Sequence, residues 1–398
     1  MRSVASLAIG LALVGCTSTD VAVSATSSAS STAATPPAPS TTVTTSPPAT
    51  TTTVPGPRTV TMAFSGDVLV HSPIWRQAER WAQEAGRPGY DFAPFFALTR
   101  PLIESVDLAV CHLEVPLRLP GREPSTHPLY GAPAELIAGI ASGGYDHCST
   151  ASNHTLDQGA QGIDLTVTEF ERIGMTQSGM ARTPDEIEPR VITLDTASGP
   201  VAVSMLSYTW SFNGLQLPAD EPWRSALIDP DRIVADATKA RALGAELVVV
   251  SLHWGAEKVH AVTREQRTWA QQITASGAVD LIVGHHAHVI QPIEQVNGVW
   301  VVFGLGNVLS NHPSTEEWPT ASQDAMIVTV SATVHPDGRR TVSPPVAHPT
   351  WVDKQSGRVI RDVLAELADP GLPPGRRAVL EASRDRTARI VGIHLRVG

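Results

Sequence analysis

The sequence predicts an α/β fold of mixed sheets covered by helices, and three observations carry that prediction. Apolar, β-rich runs alternate with segments of helical period through the middle of the chain, the rhythm of strands buried beneath helices. Runs at 299–303, 325–334 and 341–346 then follow one another closely across Gly or Asp-Gly turns, so the carboxyl half adds antiparallel strands. Five strands end in Asp, His, Glu or Asn, and strand carboxyl ends in an open sheet line one crevice.

Taken in order, residues 60–64 (Val-Thr-Met-Ala-Phe) read as the first strand, followed by helical periods at 74–85 and 94–104 and a strand at 106–110. Amphipathic helices at 133–141 and 160–173 flank a strand near 145–150. A helix at 230–243 precedes the strongly apolar strand 247–252, and a helix at 265–276 precedes the strand 279–283. Asp337-Gly338 marks a hairpin, because both residues tolerate the positive φ of a tight turn. Residues 374–390, rich in Arg376, Arg377, Arg384, Asp385, Arg386 and Arg389, read as a solvated helix packed on the domain.

The amino terminus has a different character. Arg2, an apolar stretch over 4–14 and Leu13-Val14-Gly15-Cys16 form a secretory signal whose end resembles a bacterial lipobox. The stretch is too short to span a bilayer, so residues 1–16 are expected to be a lipoprotein signal, cleaved before Cys16 with lipidation of that residue. That predicts an extracytoplasmic, membrane-anchored lipoprotein. Residues 17–58 are almost entirely Ser, Thr, Ala and Pro and cannot bury a core, so they are expected to act as a disordered tether. The folded domain is assigned to 59–398.

Composition narrows the function. With 29 Lys+Arg against 39 Asp+Glu and a net charge of -10, the chain lacks the basic face that nucleic acid demands. Its 3 cysteines are too few for a disulfide framework and fit no zinc ribbon. Cys111 and Cys148 fall near the ends of two strands that could be neighbours, which leaves an extracytoplasmic disulfide open, with two buried thiols the favoured expectation. The 14 histidines are the unusual feature, and several stand beside Gly, Asn, Asp or Glu after apolar runs. His260, His312, His335, His348 and His394 are expected at the surface.

The strand ends carry Gly66-Asp67, His112-Leu113-Glu114, Asn153-His154-Thr155-Leu156-Asp157, His253-Trp254-Gly255-Ala256-Glu257 and His285-His286-Ala287-His288. Asp67 and Asn153-His154 also suit loop starts, and Glu114 a solvated loop. Three imidazoles in four residues after an apolar strand are costly to bury unpaired. Together these types suit a hard-to-borderline divalent ion, with enough ligands for two. A carboxylate bridging two ions and a nearby His are the parts of a metal-assisted hydrolase. Glu257 and Asp157 read as supporting partners or caps, and Trp210, Trp223 and Trp318 as either rim or core cover.

At this constellation the sequence resembles the CapA (poly-γ-glutamate capsule biosynthesis) family of the calcineurin-like metallophosphoesterase superfamily. The resemblance rests on these motifs with Leu113-Glu114-Val115-Pro116, Gln291-Pro292-Ile293-Glu294 and Gly304-Leu305-Gly306-Asn307, in order from about Thr59 to Asn311. It implies an αββα sandwich of two mixed sheets flanked by helices, holding two divalent ions of Mn, Fe, Zn or Mg type. Asp67 and His288 would serve one ion, Asn153, His253 and His286 the other, and Glu114 would bridge them. His154 would be the general acid or oxyanion stabiliser, with Asp157 as the second catalytic residue. The sequence departs from the superfamily pattern at Leu69, where a His is usual, at His112, where an Asn precedes Leu-Glu, and at Ser152, where an Asn precedes Asn-His. His71 and His112 are the candidate replacements, and His285 reads as either a ligand or a supporting residue. The implied role lies in envelope polymer production, acting on an anionic polymer or a phosphoester and working with a polymer synthase. A non-enzymatic accessory protein, and an amidase or transferase on polyglutamate or peptidoglycan, are the alternatives.

Overall fold

A computed structural model describes residues 56–313, 315 and 319–395. The signal segment, Cys16, nearly all of the tether and Trp318 lie outside the described residues. Among the described residues no helix is long and apolar enough to cross a membrane.

The strands are β1 (Arg58–Val68), β2 (Leu108–Leu113), β3 (His147–Ser149), β4 (Thr176–Ser178), β5 (Ile192–Thr196), β6 (Gly199–Thr209), β7 (Leu247–His253), β8 (Leu281–His285), β9 (Ile293–Val296), β10 (Val299–Val302), β11 (Asp324–Val334), β12 (Arg340–Val342), β13 (Val346–Asp353) and β14 (Val359–Asp362). The helices are α1 (Ser72–Glu84), α2 (Ala93–Phe96), α3 (Arg100–Ile103), α4 (Glu135–Ser142), α5 (Gly159–Ile173), α6 (Pro230–Ala242), α7 (Arg264–Ala275), α8 (Val363–Leu367) and α9 (Pro374–Val391). One sheet runs β14-β13-β11-β1-β2-β3-β4 with β12 on β11, and the other β5-β6-β7-β8-β10-β9. Both are mixed: β1 is parallel to β2 and antiparallel to β11, while β7 is parallel to β6 and β8 and β10 antiparallel to β9.

Strand periodicity builds the layers. Val60, Met62 and Phe64 of β1 share a core with Leu247 and Val249 of β7 and Leu281 and Val283 of β8, which packs sheet on sheet. The alternate residues face outward: Ala63, Ala109 and Cys111 lie under α1, α4 and α5, and Val248, Val250 and Ile282 under α6 and α7. Both faces are buried, so the central strands are predominantly apolar. This is the expected αββα sandwich of two mixed sheets flanked by helices.

Several elements differ from the sequence expectation. The helix at 94–104 is two short ones, because Pro101 lacks the N–H that a continuous helix needs at that turn and α3 restarts at Arg100 with Pro at its first turn. The strand at 341–346 is divided by Pro344-Pro345, which end β12 before β13 begins at Val346. β5 and β6 were not anticipated, although β6 lies between β5 and β7 and is one of the longest strands. Cys111 and Cys148 are joined in a disulfide rather than held as thiols, because the parallel register of β2 and β3 sets them opposite each other with Cα atoms 4.5 Å apart. His312, His348 and His394 are buried rather than at the surface. His348 is fixed by Thr329 Oγ1 at 3.0 Å and His394 by the Pro345 carbonyl at 2.9 Å.

Candidate metal centre

The crevice forms where β1, β2, β3, β7 and β8 end. A bulge between Phe64 and Asp67 lets β1 re-enter register with β2, pairing Asp67 with His112 and Val68 with Leu113. Gly66 is required by close approach: a Cβ there would stand 2.0 Å from the Gly306 carbonyl, which also accepts a 2.8 Å bond from Asp67 N–H. After β8 the chain turns so tightly that His286 and His288 adopt φ of 82° and 55°, a left-handed conformation uncommon for non-glycine residues and found at functional sites. This turn directs the imidazoles of His285, His286 and His288 into the same cluster.

All six expected ligands are buried together, and His112 joins them. Ligand atoms of Asp67, His112 and His253 lie within 4.8 Å of one another, as do those of Asp67, Glu114 and His288, and those of Glu257, His286 and His288. Asp67 Oδ1 is 3.2 Å from His285 Nδ1, and its Oδ2 is 3.2 Å from His286 N–H and 3.3 Å from His288 Nδ1. His253 Nε2 is 2.9 Å from Asn153 Oδ1, and its Nδ1 is 2.9 Å from His112 Nε2, while His112 Nδ1 meets Ser149 Oγ at 2.8 Å. The His112 and His285 rings stack at 3.9 Å.

Glu114 is the anomaly of the cluster. It is fully buried, yet neither carboxylate oxygen has a hydrogen-bond partner. Its nearest imidazoles are His288 Nε2 at 3.7 Å and His253 Nε2 at 3.9 Å. His286 Nδ1 is likewise buried without a partner. An orphaned carboxylate ringed by imidazoles is expensive in a protein alone and is satisfied by a cation among them. The residues therefore fit a divalent ion.

The charges follow from the same burial. Desolvation pushes the Glu114 carboxyl well above the carboxylate range, despite the pull of His288. Asp67 is also desolvated, but hydrogen bonds from His285 and His288 hold it well below that range. For His288 burial opposes the charged form, and Glu114 and Asp67 overcome it, raising the ring to about 9. Burial and neighbouring imidazoles lower His112 and His253 well below the usual value and His286 to about 3. Neutral imidazoles are the form that binds metal.

His154 lies beside this cluster. Its Nδ1 is 2.7 Å from Asp157 Oδ2, which also accepts a 2.7 Å bond from Tyr130 N–H, and the Tyr130 ring packs 4.6 Å from the imidazole. Of the two candidate replacements, His112 is inside the cluster. His71 instead bonds the Leu69 carbonyl at 3.1 Å and Tyr130 Oη at 3.2 Å, with Leu69 itself in the core. Sequence reasoning missed Ser149, Tyr130 and His312, whose ring stands 4.8 Å from His288. Asn307, recognised only within a motif, accepts through Oδ1 from His288 Nδ1 at 2.8 Å and donates through Nδ2 to the His288 carbonyl at 3.2 Å. Trp210 is a rim residue, half exposed with its ring 5.4 Å from His286, whereas Trp223 Nε1 bonds the Arg182 carbonyl.

Fold and site together define a class: an αββα protein with a buried carboxylate and imidazole centre, suited to divalent metal, at its strand carboxyl ends. The profile of the family described as "Bacterial capsule synthesis protein PGA_cap" matches residues 61–312, and the chain belongs to that family. The resemblance to the CapA family is thereby borne out. The chain is 30% identical over 212 residues to the PGA biosynthesis protein CapA of Bacillus subtilis, covering 52% of this chain and 53% of the relative. It is 24% identical over 277 residues to the capsule biosynthesis protein CapA of Bacillus anthracis, covering 67% and 63%. A Mycobacterium tuberculosis protein named as a probable polyglutamine synthesis accessory protein is 28% identical over 174 residues, covering 42% and 45%. The chain thus spans between about half and under two thirds of the curated relatives it matches first. Among solved structures, the calcineurin-like phosphoesterase YfkN of Bacillus subtilis aligns with 83% of this chain and 97% of its own at 13% identity and a TM-score of 0.43. The NAD nucleotidase of Haemophilus influenzae aligns with 85% and 64% at 11% identity and a TM-score of 0.46.

Proposed function

We propose that this chain is an extracytoplasmic, lipid-anchored protein of capsule polymer biosynthesis that works as a dinuclear metal-dependent hydrolase. The observation that carries the reading is Glu114, a buried carboxylate without a hydrogen bond, set among His288, His253 and Asp67. Asp67, Glu114, Asn153, His253, His286 and His288 would hold two ions of Mn, Fe, Zn or Mg type, with His112 added at the Asp67 and His253 side. Such ions activate water and neutralise charge developing on a phosphoryl or carbonyl oxygen.

The chain's own residues supply the rest. Asp157 Oδ2 accepts the proton on His154 Nδ1, which fixes the ring and leaves Nε2 to exchange a proton with the leaving oxygen. Ser149 orients His112, and Asn307 orients His288. The family and the printed names of its Bacillus relatives support an anionic capsule polymer, poly-γ-glutamate, as the material handled. The proposed partners are that polymer or a phosphoester, a polymer synthase, and the membrane through Cys16.

The test is hydrolysis of a phosphodiester and of poly-γ-glutamate before and after chelation and metal return. Turnover should vanish and recover; full turnover without metal contradicts the proposal. The accessory name of the Mycobacterium relative supports a second reading, a metal-containing protein that binds polymer without cleaving it. Stoichiometric metal with no turnover on either substrate would select it.

A further inference from the structure

On a chain of net charge -10, contiguous cations without acidic partners call for a ligand. Arg80 projects from α1, and Lys354 and Arg358 from the turn between β13 and β14, beyond the stretch matched by the family profile. Gly357 brings the two elements together: with φ of 75°, its α-carbon packs so close to Trp81 that a Cβ would meet that ring at 2.9 Å. Arg80 is near enough to Arg358, and Arg358 to Lys354, for each to disfavour its neighbour's charge.

Their hydrogen bonds all go to neutral groups. Arg80 bonds Gln77 Oε1, Arg358 Nε bonds Asn311 Oδ1 at 2.7 Å, and Lys354 Nζ bonds the His312 carbonyl. The carboxylate next in sequence, Asp353, is engaged by Arg361 and Arg376. Among the described residues none of the three cations has a carboxylate at ion-pair distance. The row ends at the metal centre: His312, held by Lys354, places its ring 4.7 Å from His71 and 4.8 Å from His288, and Asn311 N–H points at His71 Nδ1 at 3.2 Å.

We infer that Arg80, Arg358 and Lys354 form a subsite for successive carboxylates of a linear polyanion whose reacting end occupies the metal centre. This rests on the reading of the chain as a handler of an anionic polymer. Like charges held together without counterions are stabilised when anions neutralise them, and guanidinium forks grip carboxylates. On a chain of net charge -10 this row is a local attractive site for the polymer.

The test is binding of a labelled poly-γ-glutamate oligomer to the full chain, read by fluorescence anisotropy at low and high salt. Metal content and melting temperature are recorded on each sample. Arg80→Gln with Arg358→Gln should weaken binding roughly tenfold at low salt, two partly screened charge contacts being lost, with metal content and melting unchanged. Lys354→Gln should weaken it in the same direction, and Lys354→Arg should restore most of it. Binding within twofold of the wild type in the double variant, or no binding by the wild type, overturns the inference. So does single-stranded DNA binding that falls in the double variant while oligomer binding does not. Loss of binding in the variants of a protein that hydrolyses nothing would sustain the subsite and sink only the hydrolase. Metal-dependent turnover with unaltered variant binding would do the reverse.

Discussion

Glu114→Gln gives the sharpest physical prediction, because the same side chain should be a burden without metal and indispensable with it. In the metal-free protein the Glu114 carboxylate is buried with no hydrogen bond. A buried charged group in that state costs at least about 1–3 kcal/mol, and the amide removes the charge at nearly equal volume. Metal-free Glu114→Gln should therefore be more stable than metal-free wild type by about 1–3 kcal/mol at pH 8. That is about 1–4 °C in Tm for a domain of this size. The folded carboxyl is raised above its ordinary value near 4.5, so wild-type stability is lost as pH rises from that value through the folded one. The gap between the proteins should accordingly be near zero at pH 5 and widen toward pH 8. With divalent metal the order should invert, the wild type gaining Tm with concentration and the variant gaining little. Scanning calorimetry of both proteins with chelator and with Mn or Zn reads all of this. A variant no more stable than the wild type at pH 8 without metal, or stabilised equally by metal, refutes the reasoning.

Other expectations follow from neighbouring contacts. His154→Ala should lower turnover at least a hundredfold while elemental analysis finds metal content unchanged, whereas His253→Ala, which loses contacts to Asn153 and His112, should lower both. Asp157→Asn should lower turnover, because His154 Nδ1 loses the carboxylate oxygen 2.7 Å away that fixes its ring. Metal-free protein should also lose stability between about pH 6.5 and 9 as His288 deprotonates: its folded value is raised to about 9, so its contribution is complete below the unfolded value and disappears through the folded one. Cys111→Ala with Cys148→Ala opens a crosslink of sequence separation 37 and should cost up to about 4 kcal/mol by loop entropy. Denaturant melts of the reduced and oxidised wild type should show the same difference.

The parts of the fold legible in sequence were those with one dominant pattern. Residues 247–252 are apolar but for the buried Ser251 because both faces of β7 are covered, and His253 marks where the strand ends. The same logic located Asp67, Glu114, Asn153 and His286 to His288. β6 escaped because Ser204, Ser207 and Thr209 dilute its alternation, although all are buried. His112 was only one of two candidate replacements, since its place beside Asp67 depends on a β-bulge and a cross-strand register that sequence spacing does not contain. His312 read as a surface residue because it lies in a Pro-rich stretch without periodicity; its burial comes from packing against His71 and His288. The cations Lys354 and Arg358 carried no signal at all, because their neighbour Arg80 is distant in sequence and is reached only through the contact of Gly357 with Trp81.

The central claim is that the cluster around Glu114 is a divalent metal centre. Elemental mass spectrometry on the purified chain, with the Asp67→Ala and Glu114→Ala variants prepared in parallel, tests it most directly. The account predicts stoichiometric divalent metal in the wild type, depleted in both variants, with Tm falling on chelation. A wild type carrying no stoichiometric metal, with a Tm indifferent to chelator and to added Mn or Zn, would contradict it.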